Sequence, residues 1–235
     1  IINNNPETVS TDYDTADRLY FEPLTDEDVM RIIEVEKPVG VVVAFGGQTA
    51  IKLTQHLDQA GVKILGTSAE GIDIAEDRER FDALLEQFAI RRPKGMSVRA
   101  LDEALEAAGA LGYPVLLRPS YVIGGQNMTI AHRSEDVIRY MNRILAGGID
   151  NPVLVDKYMA GVEVEVDVIS DGEDVLIPGV MQHIERAGVH SGDSIAVYPQ
   201  FSISDKMLQK VIDCSEKLAL ELGTQGLVNI QYLVW

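Results

Sequence analysis

Val115-Leu116-Leu117-Arg118-Pro119-Ser120-Tyr121-Val122-Ile123-Gly124-Gly125 is an apolar strand that ends on a cation and opens into a glycine loop. Pro119 biases Arg118 toward an extended conformation, so the strand runs up to the arginine and its guanidinium presents a fork of donors. Gly124 and Gly125 let backbone amides approach an anion closely. The stretch matches neither G-x-x-x-x-G-K-[ST] nor G-x-G-x-x-G, which excludes both common phosphate-loop motifs and points to a different nucleotide fold. A surface hairpin with one solvated arginine would read the same way, so the rest of the chain has to decide.

Composition narrows the classes. The 235 residues hold 46% apolar side chains, and 20 Lys and Arg face 37 Asp and Glu for a formal net charge of -17. That field opposes an extended contact with a phosphate backbone, so nucleic acid is not expected as a partner, whereas a few local cations can still hold a phosphorylated small molecule. Cys214 stands alone, and no apolar run reaches the length of a membrane helix or secretory signal. A cytoplasmic protein without membrane contact is expected.

Upstream of the loop, Gly40 to Phe45 is a continuous apolar run closed by Gly46-Gly47, as a strand buried on both faces would be. With a crossover helix over Gln48 to Ala60 and a strand over Val62 to Leu65, it predicts a βαβ unit in a doubly wound parallel sheet. Gly46-Gly47-Gln48-Thr49 is either a ligand loop or a tightly packed helix start. Thr25, followed by Glu27 and Asp28, opens a helix that Pro38 stops. One helix is expected over Ile74 to Phe88 and another over Ala100 to Leu111.

Downstream, strands are expected near Met128 to His132 and over Pro152 to Tyr158, with a helix from Ser134 to Ile144 between them. Val162 to Val168 alternates strictly, which puts Glu163, Glu165 and Asp167 on one strand face and the valines on the other. The acids either face water or meet a cationic or hydroxylic partner. Asp171-Gly172 turns into a strand over Val175 to Met181, and Ile203 to Leu222 is an amphipathic helix. In His190-Ser191-Gly192-Asp193-Ser194 adjacent residues point opposite ways, so a Ser-His nucleophile is rejected in favour of an anion-binding loop. The last strand, Leu227 to Trp235, carries Asn229 and Gln231 together on one face, for hydrogen bonds to a neighbouring loop or for a metal or phosphate site. Both ends of the chain read as cuts through strands.

Asn3 to Asp17, Gly46 to Thr49, Ala75 to Phe81, Arg118 to Gly125, His183 to Ser194 and Asn229 to Gln231 together resemble the large subunit of carbamoyl phosphate synthetase, in its second, carbamate-phosphorylating half. The resemblance covers essentially the whole chain. It implies an α/β protein: a Rossmann-like pre-ATP-grasp domain over 1–73, a helical connection over 74–111, and an incomplete ATP-grasp fold of two α+β lobes over 112–160 and 161–235. It also implies ATP with magnesium or manganese as cofactors and carbamate as substrate. Partners would be the first half of the same subunit and a glutamine amidotransferase small subunit, serving arginine and pyrimidine synthesis.

Residue by residue, the resemblance implies that Arg78 and Arg118 contact phosphates and that Gly124 and Gly125 close over them. Lys157 and Met159 would lie at the adenine hinge, and Glu163 would bind ribose hydroxyls. Gly188, Val189, His190 and Ser191 would line the nucleotide and carbamate side, with His190 joining Arg78 and Arg118 in catalysis, and Gln231 would ligate magnesium. The chain departs from the family at Gln126 and Asn127, and at Lys157, where histidine is frequent. It also lacks the return strand after Trp235 that carries further metal ligands, so these residues alone are expected to fold but to turn over little or no ATP. Another ATP-grasp carboxylate-amine ligase or carboxylase, or a non-catalytic nucleotide-binding module, are the alternative readings.

Overall fold

A computed structural model describes residues 1–119, 128–146, 152–185, 187 and 194–235. They fall into two units. The first contains 1–84, 168–177 and 213–228, and the second 85–167, 178–212 and 229–235. In chain order the helices are α1 (Asp26–Glu36), α2 (Gly47–Ile51), α3 (Thr54–Gln59), α4 (Ala69–Glu76), α5 (Arg78–Gln87), α6 (Leu101–Leu111), α7 (Ser134–Ala146) and α8 (Asp205–Glu221). The strands are β1 (Gly95–Val98), β2 (Val115–Pro119), β3 (Thr129–Ala131), β4 (Val153–Lys157), β5 (Val162–Asp171), β6 (Val175–Leu176), β7 (Val180–His183), β8 (Ala196–Val197) and β9 (Gln225–Val234).

In the first unit the Thr25 side chain accepts from the Asp28 amide and caps α1, as its sequence requires. Val29, Val43, Leu53 and Leu57 form the core, with Ile33, Val41, Ile64 and Ile72 against it. Two expectations fail here. Gly40 to Phe45 makes only a parallel bridge, Val41 to Ile64, and Val42 and Phe45 are exposed. The chain turns at once, with the Gly46 amide bonding to the Val43 carbonyl, so no ladder extends and only Val43 enters the core. The crossover helix divides into α2 and α3, because the Leu53 amide bonds three residues back to Ala50 and tightens the turn.

The helix expected over Ile74 to Phe88 is also two, α4 and α5, parted by Asp77 in an extended conformation. Its carboxylate accepts from the Arg80 amide at 2.8 Å and so caps α5, a use of a short polar side chain that competes with helix continuation. The expected strand over Val175 to Met181 is interrupted as well. Pro178 has no amide to donate, and β6 and β7 lie on either side of it.

At the β5–β6 turn, Asp171 Oδ1 accepts from the amides of Glu173 (2.9 Å) and Asp174 (2.7 Å), and Gly172 takes φ 98°. Those amides hold the Asp171 carboxyl below its ordinary value. A depressed folded pKa contributes stability above the unfolded value and loses it as pH falls through the folded one. Asp171→Asn is therefore expected to be less stable than the parent at neutral pH, and the gap should close below about pH 4. Urea melts across pH 2 to 7 check this, and a gap that persists at the acid end would contradict it.

The second unit is built on the four-stranded antiparallel sheet β1-β4-β2-β3. β1 is a strand that sequence periodicity does not announce, since Met96 and Ser97 are exposed and only Val98 is buried. Along β2, Val115, Leu117 and Pro119 are buried while Leu116 and Arg118 take the other face. The buried face packs with Ala104, Ala107 and Ala108 of α6 and Val137, Tyr140 and Met141 of α7. A five-stranded sheet has the order β6-β5-β7-β8, with β9 paired to β5. At the start of β5 a Cβ on Gly161 would lie 2.5 Å from the Val234 carbonyl oxygen, so only glycine lets β9 come this close.

Candidate functional site

Strand alternation places Arg118 on the face of the sheet opposite the core. In the β2–β4 register Arg118 pairs with Leu154 and Leu116 with Asp156, which makes Arg118 and Asp156 diagonal neighbours on that face. Arg118 Nε donates to Asp156 Oδ2 at 3.0 Å, with the arginine side chain 42% exposed and the aspartate 11%. An ion pair this open contributes at most about 1 kcal/mol to stability, so its consequence is orientation. With Nε held, the two terminal nitrogens, which have no partner among the described residues, present a paired donor edge suited to a phosphate.

Lys157 and Met159 follow at the end of β4. The Lys157 ammonium donates to the carbonyls of Gly112 (2.8 Å) and Tyr113 (3.2 Å), where α6 ends. The Lys157 amide bonds to Lys94 and the Tyr158 amide to Pro114, and Met159 is half-buried just beyond.

The acidic face of β5 does meet a partner. Asn229 Nδ2 on β9 donates to Glu165 Oε1 at 2.6 Å and to Asp167 Oδ1 at 2.9 Å. From the other side His183 Nε2 bonds to Glu165 Oε2 at 2.8 Å, with the imidazole side chain 1% exposed. Glu165 is thus held from both neighbouring strands. Glu163 lies two residues along the same face and is half-buried, and Gln231 lies two residues from Asn229 on β9 and is exposed.

Next to His183, the Glu185 carboxylate accepts from Ser194 Oγ and from the Ile195 amide, both at 2.7 Å. These two donors hold its carboxyl below the ordinary value. The hydrogen bonds join the two ends of the His183 to Ser194 motif. Gly188, Val189, His190 and Ser191 within that motif, and Gly124 and Gly125 of the glycine loop, lie outside the described residues.

Arg118, Lys157, Met159, Glu163 and Gln231 therefore belong to the second unit, while Arg78 opens α5 in the first. Asp156 escaped the sequence reading, and His183 and Glu185 stood inside the His183 to Ser194 motif without a role of their own. Asp156 had a signal, a single acid closing the run Val153-Leu154-Val155. Among the described residues no group of three or more His, Cys, Asp or Glu side chains is arranged to hold a metal. Gln231 offers one neutral oxygen and Glu165 is already engaged, so the described residues alone do not make a magnesium site.

Two family models match end to end: the carbamoyl phosphate synthase preATP-grasp domain over residues 1–74, and the carbamoyl-phosphate synthase L chain ATP binding domain over 77–235. The chain belongs to the carbamoyl phosphate synthase large-chain family. It is 57% identical over 233 residues to the carbamoyl phosphate synthase large chain of Clostridium botulinum (strain Alaska E43), and 58% identical to that of Clostridium beijerinckii. Each match covers 99% of this chain and 22% of the relative, so the chain spans about a fifth of the length of these large chains.

Solved structures support the fold. An ADP complex of PurK, an N5-carboxyaminoimidazole ribonucleotide synthetase, has TM-score 0.80 at 16% identity, covering 99% of this chain and 59% of that one. The biotin carboxylase domain of Hydrogenobacter thermophilus 2-oxoglutarate carboxylase, solved with MgADP, ADP and bicarbonate, has TM-score 0.77 at 19% identity and covers 99% and 54%. The fold is α/β: a pre-ATP-grasp domain followed by an ATP-grasp domain.

Proposed function

We propose that this chain forms the part of a carbamoyl phosphate synthase large chain that phosphorylates carbamate with ATP. A carbamate oxygen attacks the γ-phosphorus, the bond to the β,γ-bridging oxygen breaks, and carbamoyl phosphate and ADP leave. The observation that carries this reading is the Arg118 fork, fixed by Asp156 at the end of β2 within a chain that matches the large-chain family throughout. Catalysis here is positioning and charge neutralisation. Arg118 orients a phosphate oxygen of the transferred group, and Arg78 is assigned a second. Gly124 and Gly125 cover the phosphates, Met159 and Lys157 flank the base, and Glu163 receives the ribose hydroxyls. Gly188, Val189, His190 and Ser191 face the nucleotide and carbamate, with His190 among the catalytic groups.

Magnesium, if bound, neutralises phosphate charge. Among the described residues Gln231 would offer it one neutral oxygen. In this reading residues 1–73 form the Rossmann-like domain, 74–111 connect, and 112–160 and 161–235 are the two lobes. The partners are the first half of the large chain and a glutamine amidotransferase subunit, in the cytoplasm.

The test is the reverse reaction. The full-length protein supplied with ADP and carbamoyl phosphate is expected to release ATP, followed by coupled spectrophotometry, and the yield should fall when divalent metal is chelated. A full-length protein that forms no ATP this way, yet joins a carboxylate to an amine at the expense of ATP, belongs with the other ATP-grasp ligases.

A further inference from the structure

On β5 the face opposite the buried valines is polar at Glu163, Glu165 and Asp167 and then breaks: the next residue on it is Ile169, 41% exposed. Ile169 pairs directly with Leu176 of β6, which is 60% exposed on the same face. On the other side of β5 lies β9. Gly161 abuts the Val234 carbonyl and Gly172 the Gln225 side chain, so β9 runs antiparallel to β5. Asn229, bonded to Glu165 and Asp167, shows which face of β9 is shared. Leu227 follows on that face two residues from Asn229, level with Ile169, and is 55% exposed.

Three neighbouring strands thus carry an apolar residue at the same level, where an antiparallel sheet facing water places polar ones. Single exposed apolar residues are ordinary, whereas a contiguous row of them marks a surface that is covered by something else. The turn beside the row is acidic. Asp171, Glu173 and Asp174 are exposed, and the amides that bond to Asp171 hold its carboxyl ionised at neutral pH.

A second copy is a poor occupant. An isologous contact brings the same acidic turn from both partners, and each chain carries a formal net charge of -17, so the pair repels. The large chains of the family supply a better one. The match covers 22% of their length, so about four-fifths of such a polypeptide lies outside it, and the tether raises the effective concentration of that remainder at this surface.

We propose that the row Leu176, Ile169, Leu227 is an internal docking surface of the full-length large chain. Its occupant is an apolar segment from outside these 235 residues, with Lys or Arg beside it to face Asp171, Glu173 and Asp174. The proposal is independent of the nucleotide reading, which uses none of these side chains.

The test puts the photo-cross-linker p-benzoylphenylalanine in place of Leu176 in the full-length protein and identifies the cross-linked peptides by mass spectrometry. The expected product joins position 176 to a segment of the same polypeptide outside the 235 residues, at apolar side chains next to Lys or Arg. A product joining two copies of the chain, a cross-link confined to these 235 residues, a segment without a neighbouring cation, or no cross-link at all overturns the proposal. If that variant does not fold, Leu176→Cys is labelled with N-ethylmaleimide and followed at its own peptide, in buffer and in urea. Docking within one polypeptide is expected to slow labelling about tenfold or more relative to the unfolded protein, and equally at every protein concentration. Labelling as fast in buffer as in urea, or protection that appears only as concentration rises, overturns the proposal.

Discussion

Truncating Leu117 to alanine is expected to destabilise the second unit by about 2 to 5 kcal/mol, the range for removing a fully buried leucine from a packed core. Leu117 has no exposed surface and lies among Val115, Ala131, Val137, Met141 and Val155, between the four-stranded sheet and the helices α6 and α7. Deleting its methyl groups removes their transfer free energy and leaves a cavity that rigid strand and helix backbones refill poorly. The neighbouring Leu116 points to the other face and is only partly buried, so Leu116→Ala should cost clearly less. Urea denaturation of both variants measures the difference. Equal losses would mean that the strand is slipped by one residue, because a one-residue slip exchanges the two faces.

Replacing Arg118 with alanine in the full-length protein is expected to weaken ATP binding by roughly 1.5 to 3 kcal/mol, the range for a hydrogen bond to a charged group. In affinity this is roughly a ten- to 150-fold loss. On the proposed assignment the loss arises because the donor edge left after Nε engages Asp156 is the part that would meet the phosphate. Asp156→Ala should cost less than Arg118→Ala, since the guanidinium survives with its orientation relaxed. The double variant should cost no more than Arg118→Ala alone, as expected when one residue acts through the other. Isothermal titration of ATP into the four proteins checks this. Unchanged affinity in Arg118→Ala would remove Arg118 from the phosphate site, and additive losses would give Asp156 a role of its own.

Much of the candidate site is written in local pattern. Proline after Arg118 sets the arginine at a strand end, and alternation from Val162 to Val168 assigns Glu163, Glu165 and Asp167 to one face, as the buried Val164, Val166 and Val168 show. Thr25 marks the start of α1, and Asn229 with Gln231 declares a polar strip on an otherwise apolar strand. Each of these depends on neighbours within a few residues, so the sequence alone determines it. Where local pattern misled, a short-range alternative won: the turn after Val43 cut a strand short, and Asp77 capped a second helix rather than continuing the first.

Which faces meet was decided only by tertiary structure. Asp156 lies 38 positions from Arg118, and only a strand order that inserts β4 between β1 and β2 sets their side chains diagonally opposed. The same holds for Glu165, which His183 and Asn229 reach from strands 18 and 64 positions away, and for Lys157, whose ammonium finds the end of a helix 45 positions earlier. Periodicity states that a side chain is on a face; the partner across that face depends on strand order and register. Those are set by burying the valines and leucines of each sheet together, a free energy summed over residues far apart in the chain and therefore absent from any short stretch of it.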